Sequence, residues 1–420
     1  MFIFVMLLTI LVDYWEGIQI HRYLQSDPKR AKRHVIYSIV FNLGLLCFFK
    51  YFDFFAVLIN NIVPGSPIPL LKIALPIGIS FYTFQTMSYT IDVYRKDAAV
   101  AKDIIPFATY VSLFPQLIAG PIVRYTDVEN DLSNRHIRVE DVSYGIERFV
   151  IGLSKKVLLA NQAGNLYQNL MLIQPLSTMD AWLSAIAYAF QVYFDFSAYS
   201  DMAIGLGRMF GFHFLENFNY PYIANTITQF WRRWHISLST WFKDYVYIPL
   251  GGNRVNHKRL FFNIICVWSL TGLWHGARIN FVIWGLYFGL LLWVEKVFLL
   301  KYLLKLPKLF QHLYTIVIIL IGWIIFASSS LNEISSHLYA LIPFNATWYS
   351  QEGIYQFLNY RWLLAFMALA STPFFKQCYE RYIKHRKWMI AKPFFILALL
   401  ILSIAYLVSG SYNPFLYFRF

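Results

Sequence analysis

Long apolar segments are the feature that most constrains how this chain of 420 residues can fold. A helix needs roughly 17–25 apolar residues to cross the hydrocarbon of a bilayer. Segments of this kind lie at residues 35–62, 70–91, 181–211, 262–294, 313–328 and 393–409. Weaker ones lie near the start and at 105–123, 143–160 and 362–375. Because helices satisfy their own backbone groups in lipid, we predict an all-α, polytopic membrane protein with roughly 8–11 transmembrane or re-entrant helices.

The composition supports a membrane protein and argues against other classes. Charged residues make up 14% of the chain and hydrophobic residues 58%, whereas a soluble domain has roughly 25% charged residues. The net charge of +14 comes from short basic clusters, which fit the positive-inside bias and not a nucleic-acid-binding stripe. Cysteines and histidines are scattered. We predict one integral domain over 1–420 in the cell membrane, in contact with lipids, without nucleic acid, a metal site or a tightly bound cofactor.

The segment FATYVSLFPQLIAGPIVRY (107–125) is apolar but interrupted by Pro115, Gly120 and Pro121. Proline removes a backbone donor, and irregular backbone at membrane depth is tolerated only inside protein or along a wet cavity. We therefore predict a broken or re-entrant segment that lines a cavity and ends at Arg124.

The segment 181–212 contains two acidic residues, Asp195 and Asp201. Carboxylates inside an apolar segment need partners, and Arg208 is a candidate partner in the same segment. Their separation of six residues need not put them on one helical face. A catalytic acid pair is the alternative interpretation.

The stretch 220–289 is rich in Trp and Tyr and contains two candidate reactive histidines. The first, His235, follows a pair of arginines. If residues 228–242 form one helix, Trp231, His235 and Ser239 lie on one face and can line a tunnel. The alternative is a helix at the membrane interface, with its Trp and Arg side chains among the headgroups.

The second histidine, His275, lies in an apolar segment between Gly272 and Gly276. The glycines weaken the helix but open space for a narrow substrate. A buried imidazole can take a proton from a hydroxyl that attacks an acyl carbonyl. A hydrogen-bonded core histidine without a chemical role is the alternative.

The turn YIPLGGNR (247–254) separates the two histidines. It contains neither GxGxxG nor GxxxxGK[ST], so it is not predicted to be a phosphate loop. Its backbone donors, Asn253 and Arg254 can still meet an anion.

Several runs of sequence resemble the membrane-bound O-acyltransferases, and in particular the branch of the alginate O-acetyltransferase membrane subunit. They are LFPQLIAGPIVRY, YFDFSAYSDMAIGLGRMFGF, ENFNYPY, FWRRWHISLSTWFKDYVYIPLGGNR and GLWHGA followed by WGLYFG. The resemblance implies helices around a central tunnel and a catalytic core over 105–300. It also implies that His275, in GLWHG, is the catalytic histidine and that His235, in WRRWHISLS, is auxiliary and near the cytoplasmic side. The residues predicted to bind substrate or donor are Arg232, Trp231, Asn253, Arg254, Arg124 and Trp274.

The resemblance further implies the reaction. An acyl group, expected to be acetyl, passes from a cytoplasmic thioester such as acetyl-CoA through the tunnel. An outer-face partner of the serine-esterase type then modifies an extracytoplasmic polysaccharide or peptidoglycan. The branch that transfers D-alanine to teichoic acid differs more around these motifs and is the alternative. We expect two departures from the family, namely a start inside the usual first helices and the run ARIN (277–280) in place of a small and Trp-containing run.

The C-terminal tail 410–420 is predicted to emerge on the outer face, because the basic cluster 384–387 precedes the last apolar segment. Its end, FLYFRF, resembles a short terminal motif linked to acyl relay in this branch. The resulting hypothesis is that the Tyr417 hydroxyl hands the acyl group to the partner. A hydrophobic docking peptide without a covalent role is the alternative.

Two functions from other classes also remain. A transporter or flippase of a lipid-linked sugar would use the histidines in a proton relay, although no paired broken helices indicate inverted repeats. A non-catalytic assembly subunit would not need His275.

Overall fold

The structure, a computed structural model, describes residues 2–63, 65, 67–118, 120–382, 386–410 and 413–416, with the backbone alone for 386–388. No β-strand occurs within these ranges. Five helices there are long and apolar enough to cross a bilayer, namely Phe2–Tyr23, Pro28–Ile62, Ile279–Leu303, Lys308–Ala327 and Met389–Ser409. The prediction of an all-α, multi-pass membrane protein is therefore confirmed.

The chain divides into two compact units, residues 1–146 with 203–215 and residues 147–202 with 216–420. The helices of the first unit are α1 (Phe2–Tyr23), α2 (Pro28–Leu46), α3 (Phe52–Ile62), α4 (Ile79–Arg95), α5 (Ile104–Ser112), α6 (Phe114–Leu117) and α7 (Tyr125–Ser133). A π-helical turn, Cys47–Tyr51, joins α2 to α3. The predicted single domain over 1–420, core over 105–300 and outer-face tail over 410–420 stay predictions.

A buried polar network joins α1, α2 and α4 in the first unit. The Asp13 carboxylate accepts hydrogen bonds from Ser38 Oγ at 2.6 Å and from Asn42 Nδ2 at 2.7 Å. Ser38 Oγ also lies 2.9 Å from Thr90 Oγ1 of α4. Hydroxyl groups bonded across helices stabilise packing in a bilayer, so the polar residues of α4 serve helix association.

The predicted irregular segment is broken as expected. Helix α5 ends at Ser112, α6 is a single turn, and residues 120–124 are not helical. Pro115 lies in the first turn of α6, where its missing N–H costs no helical hydrogen bond. Whether this segment lines a cavity stays a prediction.

The second unit holds the remaining helices. Helix α8 (Val139–Ser154) crosses into it and continues through a π-helical turn, Lys155–Ala160. The others are α9 (Asn161–Met171), α10 (Thr178–Met209, of which 203–209 belong to the first unit), α11 (Ile227–Trp231), α12 (Ile236–Phe242), α13 (His257–His275), α14 (Ile279–Val294), α15 (Leu300–Leu303), α16 (Lys308–Ala327), α17 (Leu331–Ala340), α18 (Gln351–Ala370), α19 (Phe374–Tyr382) and α20 (Arg386–Ser409). Its core is built largely from buried aromatic rings.

The predicted span 262–294 is two helices instead of one. Helix α13 ends at His275, and α14 begins at Ile279. Gly276 between them is extended, with φ −179° and ψ 157°. His275 therefore lies at the end of a helix, and not in the middle of a continuous span as the sequence predicted.

Glycines let α13 and α14 pack with their backbones almost in contact. A Cβ atom at Gly272 would lie 2.2 Å from the carbonyl oxygen of Phe281, and one at Gly285 would lie 2.3 Å from that of Trp268. Both contacts are with backbone atoms, which cannot move aside as a flexible side chain can. Glycine is therefore required at these two positions to bring the helices together.

Asp195 and Asp201 of α10 have partners other than the predicted Arg208. Arg208 instead pairs with Asp141, at 3.2 Å. Their own partners are Lys156 for Asp195, and Arg148 and Lys155 for Asp201. Both acidic residues are thus held in ion pairs with α8 and the turn that follows it.

Candidate active site

Both candidate histidines border one cavity of about 560 Å³ within the second unit. His275 reaches it from the end of α13, and His235 from the residue before α12. The volume is within the range of roughly 300–1,000 Å³ that is typical of small-molecule sites. The structure thus brings together two residues that are forty positions apart in the chain.

The stretch 228–242 is not one helix, so the conditional prediction of a continuous helical face was wrong. Helix α11 ends at Trp231, and His235 has a left-handed backbone with φ +43°. Such a conformation costs a residue other than glycine about 1–3 kcal/mol. Trp231, His235 and Ser239 nevertheless all line the cavity. The break between α11 and α12, and not regular helical spacing, places the His235 ring at the cavity wall.

Asn217 orients the His235 imidazole. Its side-chain oxygen Oδ1 lies 3.2 Å from His235 Nδ1 and accepts hydrogen bonds from Ser237 N at 3.2 Å and Ser237 Oγ at 2.9 Å. Asn217 Nδ2 in turn donates to Ser200 Oγ at 3.2 Å. Because Oδ1 is an acceptor, the proton of a neutral imidazole is on Nδ1 and the lone pair is on Nε2.

His275 is buried among aromatic rings. Its ring centroid lies 5.1 Å from that of Trp274 and 5.2 Å from those of Trp284 and Phe326. The side chain is 8% exposed. These rings hold the imidazole in an environment of low polarity and keep bulk water away from it. Bulk water therefore competes little with a bound substrate for proton transfer to or from the imidazole.

The glycines beside His275 do not open the space that the sequence analysis expected. A Cβ atom at Gly276 would lie 2.4 Å from the Phe281 ring. The room beside Gly276 is thus filled by an aromatic side chain, and the room beside Gly272 by the backbone of α14. The space at the imidazole comes from the cavity wall instead.

A second, much smaller cavity also borders His275. Its volume is about 20 Å³, and Asp195, Trp234 and Leu416 contribute to its wall. His275 and Trp234 line both cavities. The imidazole is therefore at the boundary between a large space and a small one.

Basic side chains line the large cavity. They are Arg232, Lys243 and Lys296, and no acidic residue is among the described residues of its wall. Lys296 Nζ lies 3.4 Å from Tyr247 Oη. Lys243 Nζ pairs with Asp244 Oδ1 at 3.3 Å, so the positive charges of Arg232 and Lys296 are the ones that favour an anionic ligand.

The predicted substrate-binding residues fall into three groups. Trp231 and Arg232 line the large cavity. Asn253 is not in the wall of this cavity. Its side-chain oxygen accepts hydrogen bonds from Lys296 and Tyr247, and these two residues do line the cavity. The other three lie elsewhere. Trp274 contacts both histidine rings, and Arg254 is exposed beside Gly251. Arg124 belongs to the first unit and caps α7. The roles predicted for all six stay predictions, and Tyr417 lies outside the described residues.

Four residues of the site were not predicted from the sequence. Asn217 is within the run ENFNYPY but received no role, and Lys243 and Lys296 were not singled out. Glu295, which follows directly after the predicted span 262–294 and is fully buried, accepts three hydrogen bonds at the start of α11. The available signal was a lone Glu-Lys pair in the apolar stretch LLLWVEKVFLL. Charged residues in such a stretch are energetically costly and usually have a functional role.

Comparison with known proteins gives a consistent family assignment. Residues 96–336 match the membrane-bound O-acyltransferase family. The chain is 42% identical over 343 residues to the probable alginate O-acetylase AlgI of Pseudomonas aeruginosa, a match that covers 81% of this chain and 66% of that protein. It is 37% identical over 433 residues to the protein of the same name in Pseudomonas putida, covering 97% and 88%. It is 33% identical over 436 residues to the peptidoglycan O-acetyltransferase of Helicobacter pylori, covering 96% and 79%.

Proposed function

This chain belongs to the membrane-bound O-acyltransferase family, and from that premise we propose that it moves an acetyl group from cytoplasmic acetyl-CoA toward the hydroxyl of an extracytoplasmic polysaccharide or peptidoglycan. It is a multi-pass membrane protein and an O-acyltransferase. The relatives named for alginate and for peptidoglycan favour a glycan acceptor.

One observation carries the proposal, namely that a buried histidine borders a cavity large enough for a thioester arm. The 560 Å³ cavity has basic side chains and His235 in its wall, and it also reaches the imidazole of His275. A donor whose phosphates meet the basic residues can extend its thioester toward that imidazole. Such positioning supplies much of the rate enhancement in a transfer reaction.

We infer that His275 acts as the general base. It takes the proton of the acceptor hydroxyl as the oxygen attacks the thioester carbonyl carbon. A carbon–oxygen bond forms, the carbon–sulfur bond breaks, and the proton passes to the departing thiolate, so that the products are an ester and a free thiol. His235, held by Asn217 with its lone pair on Nε2, is the auxiliary base or hydrogen-bond acceptor beside the donor.

The charges of Arg232 and Lys296 point to a donor with phosphate groups. We expect Lys296→Ala to raise the KM for acetyl-CoA by about tenfold or more, because a hydrogen bond between charged groups is worth about 1.5–3 kcal/mol. The kcat should change much less. S-acetyl-pantetheine has the same thioester and no phosphate, so its kinetic constants should be nearly the same in wild type and variant.

The matched control is Lys301→Ala, an exposed lysine of α15 that is absent from the cavity wall. Equal losses with both donors in Lys296→Ala would show that the lysine supports the fold and does not bind phosphate.

We propose that the acceptor side involves an outer-face partner of the serine-esterase type and that Tyr417 relays the acyl group to it. The acetyl group first forms an ester with the phenol oxygen of Tyr417 as the thiol leaves. The partner's serine hydroxyl then attacks this ester, the bond between the carbonyl carbon and the phenol oxygen breaks, and the hydroxyl proton returns to the phenol. Mass spectrometry of the C-terminal peptide after incubation with isotope-labelled acetyl-CoA should find a label on Tyr417. Full polymer acetylation by a Tyr417→Phe variant would contradict the relay. The remaining interpretation would then be that the tail is a hydrophobic docking peptide without a covalent role.

The experiment that tests the function uses the purified full-length protein in proteoliposomes, supplied with the outer-face partner and an acceptor glycan. Release of free CoA from acetyl-CoA, dependent on His275, is the expected result. D-alanyl transfer would appear as a requirement for a D-alanyl thioester. A lipid-linked-sugar flippase or a non-catalytic assembly subunit would release no thiol, and that result would refute the proposal.

A further inference from the structure

The small cavity beside His275 has no part in the reaction described so far. Its volume of about 20 Å³ holds roughly one water molecule. Its wall includes Leu416, which lies in the last short stretch that the structure describes. The C-terminal segment 413–416 therefore borders the same small space as the candidate base.

One buried ion pair fixes this segment. Lys156 Nζ lies 2.5 Å from Asp195 Oδ1, and their side chains are 8% and 4% exposed. The other carboxylate oxygen, Oδ2, accepts a hydrogen bond from Leu416 N at 2.7 Å. Lys156 Nζ also donates to Pro414 O at 3.2 Å and lies 4.7 Å above the centre of the Phe415 ring. Each member of the pair thus holds the backbone of the segment directly.

Stability alone is a poor reason for such a pair. Replacing a buried ion pair by apolar residues is often neutral or stabilising, and the best-attested use of such groups is to fix one register. Here the register fixed is that of residues 414–416 against α10 and the turn after α8. The pair therefore specifies where the C-terminal segment lies.

Two further polar contacts bring the chain to this place. Ser403 Oγ of α20 lies 3.1 Å from Ser154 Oγ, and Lys392 Nζ lies 2.5 Å from Glu147 Oε1. Most of the window from Met389 to Ser409 is otherwise unburied. These contacts direct α20 along α8, so that the residues after it reach the Lys156–Asp195 pair.

We propose that Lys156 and Asp195 are positioning residues that hold 414–416 as the far wall of the acyl path, closing the space beyond His275 to water. This rests on the proposed function, because a path closed to water matters where a thioester is exposed to a general base. Water that reached the imidazole there would hydrolyse the thioester in place of transfer. The pair then sets how much of the consumed thioester reaches the acceptor.

The test compares two measurements on the full-length protein. The first is free thiol released from acetyl-CoA by purified protein in proteoliposomes without an acceptor, which is the hydrolytic leak. The second is the acetyl content of the cell-envelope polymer in cells that express the same variant. The double variant Lys156→Met/Asp195→Leu removes both charges together and avoids an unpaired buried charge. We expect its leak to rise several-fold while polymer acetylation falls several-fold.

A second variant, Leu416→Ala, keeps the ion pair and removes the side chain that closes the small cavity; it should shift both measurements in the same directions. Lys155→Met is the control, because Lys155 is adjacent in sequence but pairs with Asp201, which retains Arg148. Its leak should equal that of wild type. If leak and transfer fall together in the double variant and in Leu416→Ala, or if neither changes, the proposal is wrong. A wild type that releases no thiol even when the partner and an acceptor glycan are added would instead refute the proposed function.

Discussion

His275→Gln is expected to lower the rate of acyl transfer by about 10²–10⁴-fold, the usual contribution of a general base. Glutamine keeps a polar side chain among the rings of Trp274, Trp284 and Phe326 but cannot accept and release a proton near neutral pH. The effect should appear in kcat for both acetyl-CoA and S-acetyl-pantetheine, because the lost function is chemical and independent of phosphate binding. Thiol release by purified protein in the presence of the partner and an acceptor glycan is the readout, with the amount of the variant in the membrane measured in parallel.

The control for this prediction is a histidine on the same helix. His257 is the first residue of α13 and is exposed, whereas His275 is the last and is buried. We expect His257→Gln to retain the rate of wild type. A His275→Gln protein that reaches the membrane in normal amount and transfers acetyl groups normally would show that the imidazole is only a core residue.

The segments that carry the site were predictable from the sequence because the energetic penalty of polar groups in a bilayer is large. A histidine or a carboxylate in an apolar segment stands out, and this signal found His235, His275 and Asp195. The irregular segment around Pro115 was found in the same way, since proline cannot donate a backbone hydrogen bond. Each of these inferences depends on a local property of the chain.

The geometry of the site was not predictable, because it depends on where helices break and pack. The break after His275 occurs at a Gly-Ala-Arg run, and hydropathy averaged over a window long enough to span a bilayer hides this run among the apolar residues on both sides. The left-handed backbone of His235 has no local sequence signal, since glycine is the usual residue in that conformation. The same limit hid Asn217, whose contact with His235 joins residues eighteen positions apart.

The partners of buried charged residues could not be predicted from the sequence either. Arg208 was a reasonable partner for the acidic residues of α10 by proximity along the chain, yet it pairs with Asp141. Asp195 takes Lys156, thirty-nine positions away. Which cation meets which carboxylate depends on helix packing, and this packing is also what brings the C-terminal segment to the small cavity beside His275.

Glu295→Ala should have the largest effect on stability of any single change at the site, a loss of about 3 kcal/mol or more in the free energy of unfolding. The Glu295 side chain is fully buried. Its Oε2 accepts from Ile227 N at 2.8 Å, and its Oε1 accepts from Thr228 N at 2.9 Å and Thr228 Oγ1 at 2.6 Å. Alanine leaves the buried Ile227 N–H and the two partly buried donors of Thr228 without this partner, and a buried group without a partner costs about 1–3 kcal/mol. The melting temperature of the purified protein in detergent is the measurement.

The Glu295→Ala substitution should also affect the reaction, because α11 contains Trp231 and is followed directly by Arg232, and both residues line the large cavity. We expect the KM for acetyl-CoA to rise at temperatures where the variant is still folded. Glu333→Ala is the matched control: Glu333 accepts from Ser329 N and Ser329 Oγ, both at 2.7 Å, but at an exposed helix start where water can replace it. Its cost should be at most about 1–2 kcal/mol, the usual range for a lost helix cap. Equal melting temperatures for the two variants would mean that water reaches the start of α11 and that Glu295 does not hold the cavity wall.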